Sequence, residues 1–208
     1  LVSDVVGLIH ALGEDKARLV GHDWGGAIAW NVAMNHPEVL ERLAVLNCPH
    51  PSIFTKALRS DFSQIKKSWY VFFFQIPYLP EFLLRVRLRK ILKSICQNAT
   101  RRKDTFSDED ILHYERALEK PGVLTAALNY YRAALRQSPS KHHQTRKIEV
   151  PTLLIWGEDD AALGKELTYH MEPFFNGPFD IHYIPNCSHW VQEEQPDLVN
   201  NLLLRFLA

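Results

Sequence analysis

The sequence predicts an α/β fold in which helices cover both faces of a mostly parallel sheet. Three features of its 208 residues support this prediction. Short apolar runs alternate with helical patterns, a glycine-rich turn follows the first apolar run, and a long aromatic-rich stretch without strand patterns interrupts the alternation. The chain is long enough to bury a core of its own.

The chain begins with a pattern of helix, strand, helix and strand. Apolar residues recur at helical spacing over Leu1–Leu12, and Gly13 is a favoured residue just past a helix end. Ala17–Val20 is a short apolar run typical of a buried strand. A helix is predicted over Ala27–Asn35, after the glycine-rich turn, and Leu43–Leu46 is the second predicted strand.

Strand and helix alternate again near the end of the chain. Val150–Trp156 and Asp180–Ile184 are the third and fourth predicted strands. A closing helix is predicted over Pro196–Ala208, with proline near its start, an acid in its first turn and a base in its last turn.

Residues 52–147 differ in composition from the segments on either side. They are dense in aromatic and helix-forming residues, and Ser107 with Asp110 has the spacing of a capping box. We predict an all-helical cap over the open end of the sheet, inserted into a core formed by residues 1–51 and 148–208. A second helical domain without a catalytic role is the alternative, because aromatic residues at helical spacing commonly form a core.

The composition excludes several classes of protein. Lys and Arg number 24, as do Asp and Glu, so the net charge gives no reason to expect a nucleic-acid partner. No apolar run is long enough to span a membrane, and no signal peptide is recognisable. The three scattered cysteines suggest neither a disulfide framework nor a zinc site. We expect a cytoplasmic protein, and an anchor outside this sequence stays open.

The turn GHDWGG at residues 21–26 is the strongest chemical signal. A strand, then glycine, nucleophile and glycine at alternate positions, then a helix is the pattern of a nucleophile elbow. The sharp turn strains the backbone, so small residues are expected on both sides of the central Asp23. The backbone N–H of Trp24 is expected to point at a developing oxyanion.

A carboxylate nucleophile restricts the chemistry. When Asp23 attacks carbon it leaves an ester, whereas attack on a carboxylic ester or an amide would leave an anhydride. The pattern therefore favours opening of an epoxide or displacement of a halide. A glycine-rich turn with an incidental Asp is the alternative.

Further motifs occur in a fixed order along nearly the whole chain: GHDWGG at 21–26, NCPHP at 47–51, NYYR at 129–132, WGEDDAAL at 156–163 and NCSHWVQEEQPDLVN at 186–200. With the aromatic cap stretch, they resemble epoxide hydrolases of the α/β-hydrolase superfamily. The resemblance implies the α/β-hydrolase fold and hydrolysis of an epoxide to a vicinal diol, with no metal or organic cofactor.

The base and the acid are expected after later strands. His189 follows the last strand and can reach over the strand ends toward Asp23. Asp160 follows the third strand, where α/β proteins collect site residues, but Glu158 and Asp159 lie beside it and the residues alone do not choose. The resemblance places the acid at Asp160, where it would accept Nδ1–H of His189. His22 is expected to pack or to form local hydrogen bonds.

Two cap tyrosines complete the site that the resemblance implies. An alkoxide leaving group needs a proton or a strong hydrogen bond, and Tyr131 and Tyr70 would donate it. Tyr130 is adjacent to Tyr131, and Phe72–Phe74 follow Tyr70. The alignment of these aromatic residues with the two donor positions therefore stays open. Aromatic cap core is the alternative role for both tyrosines.

The resulting hypothesis is hydrolysis of a small apolar epoxide by water through an ester on Asp23, with an unknown oligomeric state. One alternative is a haloalkane or haloacid dehalogenase with the same nucleophile, in which the Trp24 indole binds halide. The other is an inactive hydrolase-fold protein.

Two further features bear on the hypothesis. The N-terminal strands of the family and its HGxP loop, which supplies a second oxyanion N–H, are missing, so we expect a fragment of a longer protein. Residues 85–103 hold eight basic residues and no acidic one. They indicate either a solvated cap face or contact with an anionic membrane surface.

Overall fold

A computed structural model describes residues 1–136 and 146–208. Within these ranges, four strands form one sheet in sequence order, and every neighbouring pair is parallel. The strands are β1 (Ala17–His22), β2 (Leu40–Leu46), β3 (Thr152–Gly157) and β4 (Phe179–Ile184). The predicted α/β architecture with a parallel sheet is confirmed.

The first two strands are longer than their apolar runs. β2 begins at Leu40, three residues before the predicted start, although Glu41 and Arg42 are polar. Arg42 still pairs with Arg18 of β1 through the backbone, and the pairing continues to His22. Both differences have one cause, since backbone pairing extends a strand beyond the residues whose side chains mark it.

Eleven α-helices surround the sheet in the described ranges. In chain order they are α1 (Val2–Ala11), α2 (Trp24–Asn35), α3 (Pro51–Ser60), α4 (Phe62–Lys67), α5 (Trp69–Phe73), α6 (Leu79–Val86), α7 (Leu88–Lys93), α8 (Asp108–Glu119), α9 (Val123–Arg136), α10 (Val191–Glu194) and α11 (Pro196–Leu207). We call residues 51–136, which hold α3–α9, the cap. Residues 137–145 of the predicted cap lie outside the described residues. The capping box that begins α8 at Ser107 is confirmed.

Two apolar clusters cover the two faces of the sheet. Val45 and Leu154 point to the face where α1 and α2 pack. Leu46 and Leu153, one position along each strand, point to the face where α11 packs. Side chains alternate between the faces of a strand, so a sheet covered on both sides produces nearly continuous apolar runs.

A buried ion pair holds the cap helices together. The Arg132 guanidinium of α9 donates from Nη1 and Nη2 to the Glu81 carboxylate of α6, at 2.6 and 3.0 Å. Its Nε donates to the Phe74 carbonyl at 2.9 Å, and Gln75 donates to the carbonyl of Tyr131 at 3.1 Å. Because the Arg132 guanidinium has partners on both segments, it ties α9 to α6 and to the end of α5 near Tyr131.

Most of the eight basic residues at positions 85–103 of the cap have acidic or carbonyl partners within the protein. Five of the eight contact acidic side chains or carbonyl oxygens: Arg89 with Glu115, Lys93 with Asp108, Arg101 with Asp159, Arg102 with Asp104, and Lys103 with the carbonyls of Asn98 and Thr100. Most of these contacts lie within the cap, and Arg101 joins it to the core through Asp159. None of the described helices has both the length and the hydropathy that crossing a bilayer requires.

Candidate active site

Asp23 occupies a sharp turn between β1 and α2, with φ +50° and ψ −120°. A Cβ on Gly21 would lie 2.5 Å from the carbonyl oxygen of Gly25, and one on Gly26 would lie 2.6 Å from Cβ of Cys48. A Cβ on Gly25 would meet nothing within 4 Å. The expected need for small residues on both sides therefore holds at Gly21 but is wrong for Gly25, because Gly26 is the residue that approaches β2.

The turn presents the Asp23 carboxylate at the head of α2. Its side chain is 42% exposed, and its backbone N–H donates to the Leu46 carbonyl at 3.3 Å, which ties the turn to the end of β2. Trp24 is the first residue of α2, so its N–H has no intrahelical acceptor. An N–H at this position can donate to an oxygen bonded to the Asp23 carboxyl carbon.

His189 lies between two carboxylates. Its Nδ1 donates to Oδ2 of Asp160 at 2.7 Å, and its Nε2 is 3.6 Å from Oδ1 of Asp23. The Asp160 side chain is fully buried and that of His189 is 18% exposed. Both residues follow the carboxyl ends of parallel strands, as Asp23 does, and these ends meet at one edge of the sheet.

The other two acids of the third loop lie elsewhere. Glu158 forms an ion pair with Lys165, and Asp159 forms one with Arg101 at 2.9 Å. The ambiguity left by the sequence among three adjacent acids is thus resolved by geometry, since only Asp160 contacts His189.

Asn47 holds the acid in place, and sequence reasoning gave it no role. Its Nδ2 donates to Oδ2 of Asp160 at 2.8 Å, and its Oδ1 accepts from the Gly157 amide at 2.9 Å. The amides of Ala162 and Leu163 donate to the other carboxylate oxygen at 2.8 and 2.9 Å. The sequence signals for Asn47 were its place at the carboxyl end of β2 and its membership of the NCPHP motif at 47–51.

These contacts set the pKa values of the pair. Burial by itself raises the pKa of Asp160, but the hydrogen bond and charge of His189, with the Leu163 amide and Asn47, hold the pKa of that carboxyl below its usual range. Burial lowers the pKa of His189, yet the hydrogen bond and charge of Asp160, with the charge of Asp23, raise it above its ordinary value of 6.5. The arrangement stabilises an imidazolium beside an ionised Asp160.

His22 supports the His189 loop. Its Nε2–H donates to the His189 carbonyl at 2.9 Å, and the Gln192 amide approaches its Nδ1 at 3.5 Å. Burial, and then the charge of His189, lower the pKa of His22. The neutral ring therefore holds the backbone of the loop, in agreement with the expected local role.

Tyr131 and Tyr70 lie together on the cap side of this edge. Their ring centroids are 5.8 Å apart, and the Tyr131 ring meets Trp24 edge-on at 4.9 Å. Phe74 packs against Tyr131 at 5.0 Å. Tyr130 also contacts the Trp24 ring, at 5.6 Å. The cap thus brings both tyrosines to the turn that carries the nucleophile.

Both phenols are held in the protonated state that a donor needs. Burial, followed by the charge of Asp23, raises the pKa of Tyr131 to about 12, and a hydrogen bond with the Trp24 side chain acts in the opposite direction. Burial, then the neighbouring Tyr131 and the charges of Asp23 and Asp160, raise the pKa of Tyr70 further. Neither group ionises near neutral pH, so each can donate to an oxyanion.

Among the residues that the structure describes, no three His, Cys, Asp or Glu side chains are grouped as metal ligands. The cysteines at positions 48, 96 and 187 are buried and free.

The sequence matches the family model of the alpha/beta hydrolase family over residues 1–202. It is 37% identical to epoxide hydrolase 4 of Homo sapiens, in an alignment that covers all of this chain and 58% of that protein. It is also 37% identical to the AB hydrolase superfamily protein YfhM of Bacillus subtilis, with coverage of 100% and 71%. The chain thus spans little more than half of the human relative.

A solved structure has the same fold. A variant of an epoxide hydrolase from Bacillus megaterium, complexed with its naphthyloxy propanediol product, superposes with a TM-score of 0.84 at 29% identity. The match covers 100% of this chain and 74% of that one.

Proposed function

The chain belongs to the α/β hydrolase family, and from this premise we propose that the protein hydrolyses an epoxide to a vicinal diol through a covalent ester on Asp23. The strongest support for the proposal is the carboxylate of Asp23 at the elbow, whose Oδ1 is 3.6 Å from Nε2 of His189. The relatives that are named epoxide hydrolases support the same activity.

The first step would be alkylation of the enzyme. An Oδ of Asp23 attacks an epoxide carbon, the ring C–O bond breaks, and the ring oxygen takes up a proton or a strong hydrogen bond from Tyr70 and Tyr131. The Tyr131 ring meets the Trp24 ring at 4.9 Å and the Tyr70 ring at 5.8 Å, which supports the position of the pair opposite the nucleophile. Phe74 and the indole of Trp24 offer apolar surface for a small apolar epoxide.

The second step would be hydrolysis of the ester. Nε2 of His189 takes a proton from water, and the water oxygen attacks the carboxyl carbon of Asp23. The Trp24 amide would stabilise the tetrahedral oxyanion, while Asp160 stabilises the imidazolium. Collapse releases the diol, which carries one original oxygen of Asp23 and takes the proton of the new carboxyl group, so that the carboxylate is restored. The proton held by His189 then replaces the one that the ring oxygen took up in the first step.

A dehalogenase is less well supported than an epoxide hydrolase. Binding of halide would use the single N–H donor of the Trp24 indole, and the ring of Tyr131 meets this indole edge-on at 4.9 Å. A pair of phenols, in contrast, suits a leaving alkoxide, which is far more basic than a halide.

An activity assay tests the proposed function directly. In the full natural protein, we expect a simple aryl epoxide to be converted to its vicinal diol, and the matching haloalkane to release no halide above the background. Chromatographic analysis of diol and ion chromatography of halide measure the two reactions. Halide release without diol formation would reverse the assignment.

Removing the tyrosine hydroxyls should slow the first step. Tyr131→Phe and Tyr70→Phe should each lower the alkylation rate about 10- to 100-fold, and the double variant should be nearly inactive, because one donor can still serve the leaving oxygen but none remains when both are lost. Rapid-quench measurement of ester formation checks this. Tyr130→Phe is the matched control and should change the rate by less than about 3-fold. Unchanged alkylation in the double variant would assign both tyrosines to the cap core.

A further inference from the structure

The loop that carries His189 is attached to the cap on both sides of the histidine. On one side, the indole of Trp190 donates to the Ile95 carbonyl at 3.2 Å and packs edge-on against Phe106 at 5.5 Å. On the other side, Ser188 is connected to the cap through Glu194. The mechanism proposed above uses neither connection.

Glu194 is fully buried and its carboxylate is divided between two segments. One oxygen accepts from the backbone N–H and the hydroxyl of Ser188, the N–H at 2.8 Å. The other oxygen accepts from the amides of Arg101 and Arg102 in the cap, at 2.7 and 3.2 Å. A buried carboxylate is strongly destabilising unless donors satisfy both oxygens, so the donors of the loop and of the cap are held at a fixed separation.

The same turn of the cap also holds the acid loop. The Arg101 guanidinium pairs with Asp159, the neighbour of the acid Asp160, at 2.9 Å. Arg102 donates from Nη1 to the Glu194 carbonyl at 2.9 Å. Arg101 and Arg102 of the cap therefore contact the segments next to both members of the Asp160–His189 pair.

From these contacts we propose that Glu194 is a positioning residue, which fixes His189 relative to the cap and thereby sets the rate of ester hydrolysis. This inference rests on the proposed function. The cap then serves each half of the reaction through a different part: α5 and α9 carry the donors of the alkylation step, and Arg101 and Arg102 hold the loop of the base for the hydrolysis step.

The substitution Glu194→Gln tests this role with almost no change in shape. The amide of glutamine has one acceptor oxygen, so it can satisfy either Ser188 or the cap amides but places N–H groups against the other donors. The His189 loop should shift by a fraction of an ångström, and a misplacement of about 1 Å can reduce a rate on the order of 10²-fold.

The experiment compares the two half-reactions in the full natural protein with a simple aryl epoxide. In Glu194→Gln, we expect ester decay to slow about 10- to 100-fold while alkylation changes by less than about 3-fold. Glu193→Gln, an exposed neighbour in the same helix, is the matched control and should change neither rate. Glu194→Asp keeps both acceptor oxygens and should recover part of the lost rate.

Two results would overturn the inference. One is ester decay in Glu194→Gln at the rate of the control. The other is that the rates of alkylation and of ester decay in Glu194→Gln fall by the same factor. Such a result would indicate only a smaller folded fraction. If the unsubstituted protein forms no ester, the proposed function fails instead.

The role of Glu194 is then tested by NMR titration of the His189 imidazole, which needs no turnover. Asp160 raises the His189 pKa through a close hydrogen bond, so loosening of the loop in Glu194→Gln should lower that pKa. A titration curve identical to that of Glu193→Gln would exclude a positioning role.

Discussion

Replacing Asp23 by Ala should abolish both turnover and covalent labelling by an epoxide. No other carboxylate occupies the turn at the head of α2, and Asp160 is buried against His189 and Asn47, where substrate cannot reach it. Loss of a nucleophile that acts together with a base typically lowers kcat on the order of 10⁴- to 10⁶-fold. Steady-state assays and intact-protein mass spectrometry measure the two effects.

Asp23→Asn is the shape-matched companion of this variant. At φ +50°, Asn is tolerated better than Ala, so the asparagine variant separates loss of the nucleophile from strain in the turn. It should have a melting temperature near that of the unsubstituted protein and no early ester formation. Turnover above about one hundredth of the normal rate in both variants would mean that another group attacks the epoxide.

Replacing His189 by Gln should stop the reaction at the ester. The base is needed only when water attacks, so alkylation of Asp23 proceeds and each enzyme molecule consumes one epoxide before the reaction stalls. General-base catalysis typically contributes 10²- to 10⁴-fold, and ester hydrolysis should fall by about that factor. A rapid-quench burst equal to the enzyme concentration, with a matching increase in protein mass, is the expected observation.

His113→Gln is the matched control for this variant, because His113 is exposed on the surface of α8. It should show normal turnover without accumulation of ester. If His189→Gln consumes no epoxide at all, the histidine acts before the ester forms, and the division of labour proposed for the two steps is wrong.

The sequence was informative where side-chain pattern and chain order carry the information. Continuous apolar runs marked the strands, and the order of elbow, third-strand loop and fourth-strand loop indicated Asp23, an acid among residues 158–160, and His189; the resemblance selected Asp160. The carboxyl ends of parallel strands lie at the same edge of the sheet, so the loops that follow them lie close together. Order along the chain therefore predicted which residues are near one another.

The polar residues that support the triad could not be found in this way. Asn47 and Glu194 are fully buried, and although both lie in motifs that carry the resemblance, their local sequence does not indicate burial or a partner. Their partners are 113 and up to 93 positions away, so burial arises only from tertiary packing. Charge density along the chain likewise did not reveal that Arg101 pairs with Asp159 of the core.

The central claim is that the oxygen added to the epoxide in the first turnover comes from Asp23 and not directly from water. A single turnover in H₂¹⁸O, with enzyme in excess over an aryl epoxide, tests it most directly. We expect the diol to be unlabelled and one ¹⁸O to appear in the peptide that contains Asp23, because water attacks the carboxyl carbon of the ester. Label in the diol and none in that peptide would show direct attack of water on the epoxide and would contradict the covalent mechanism.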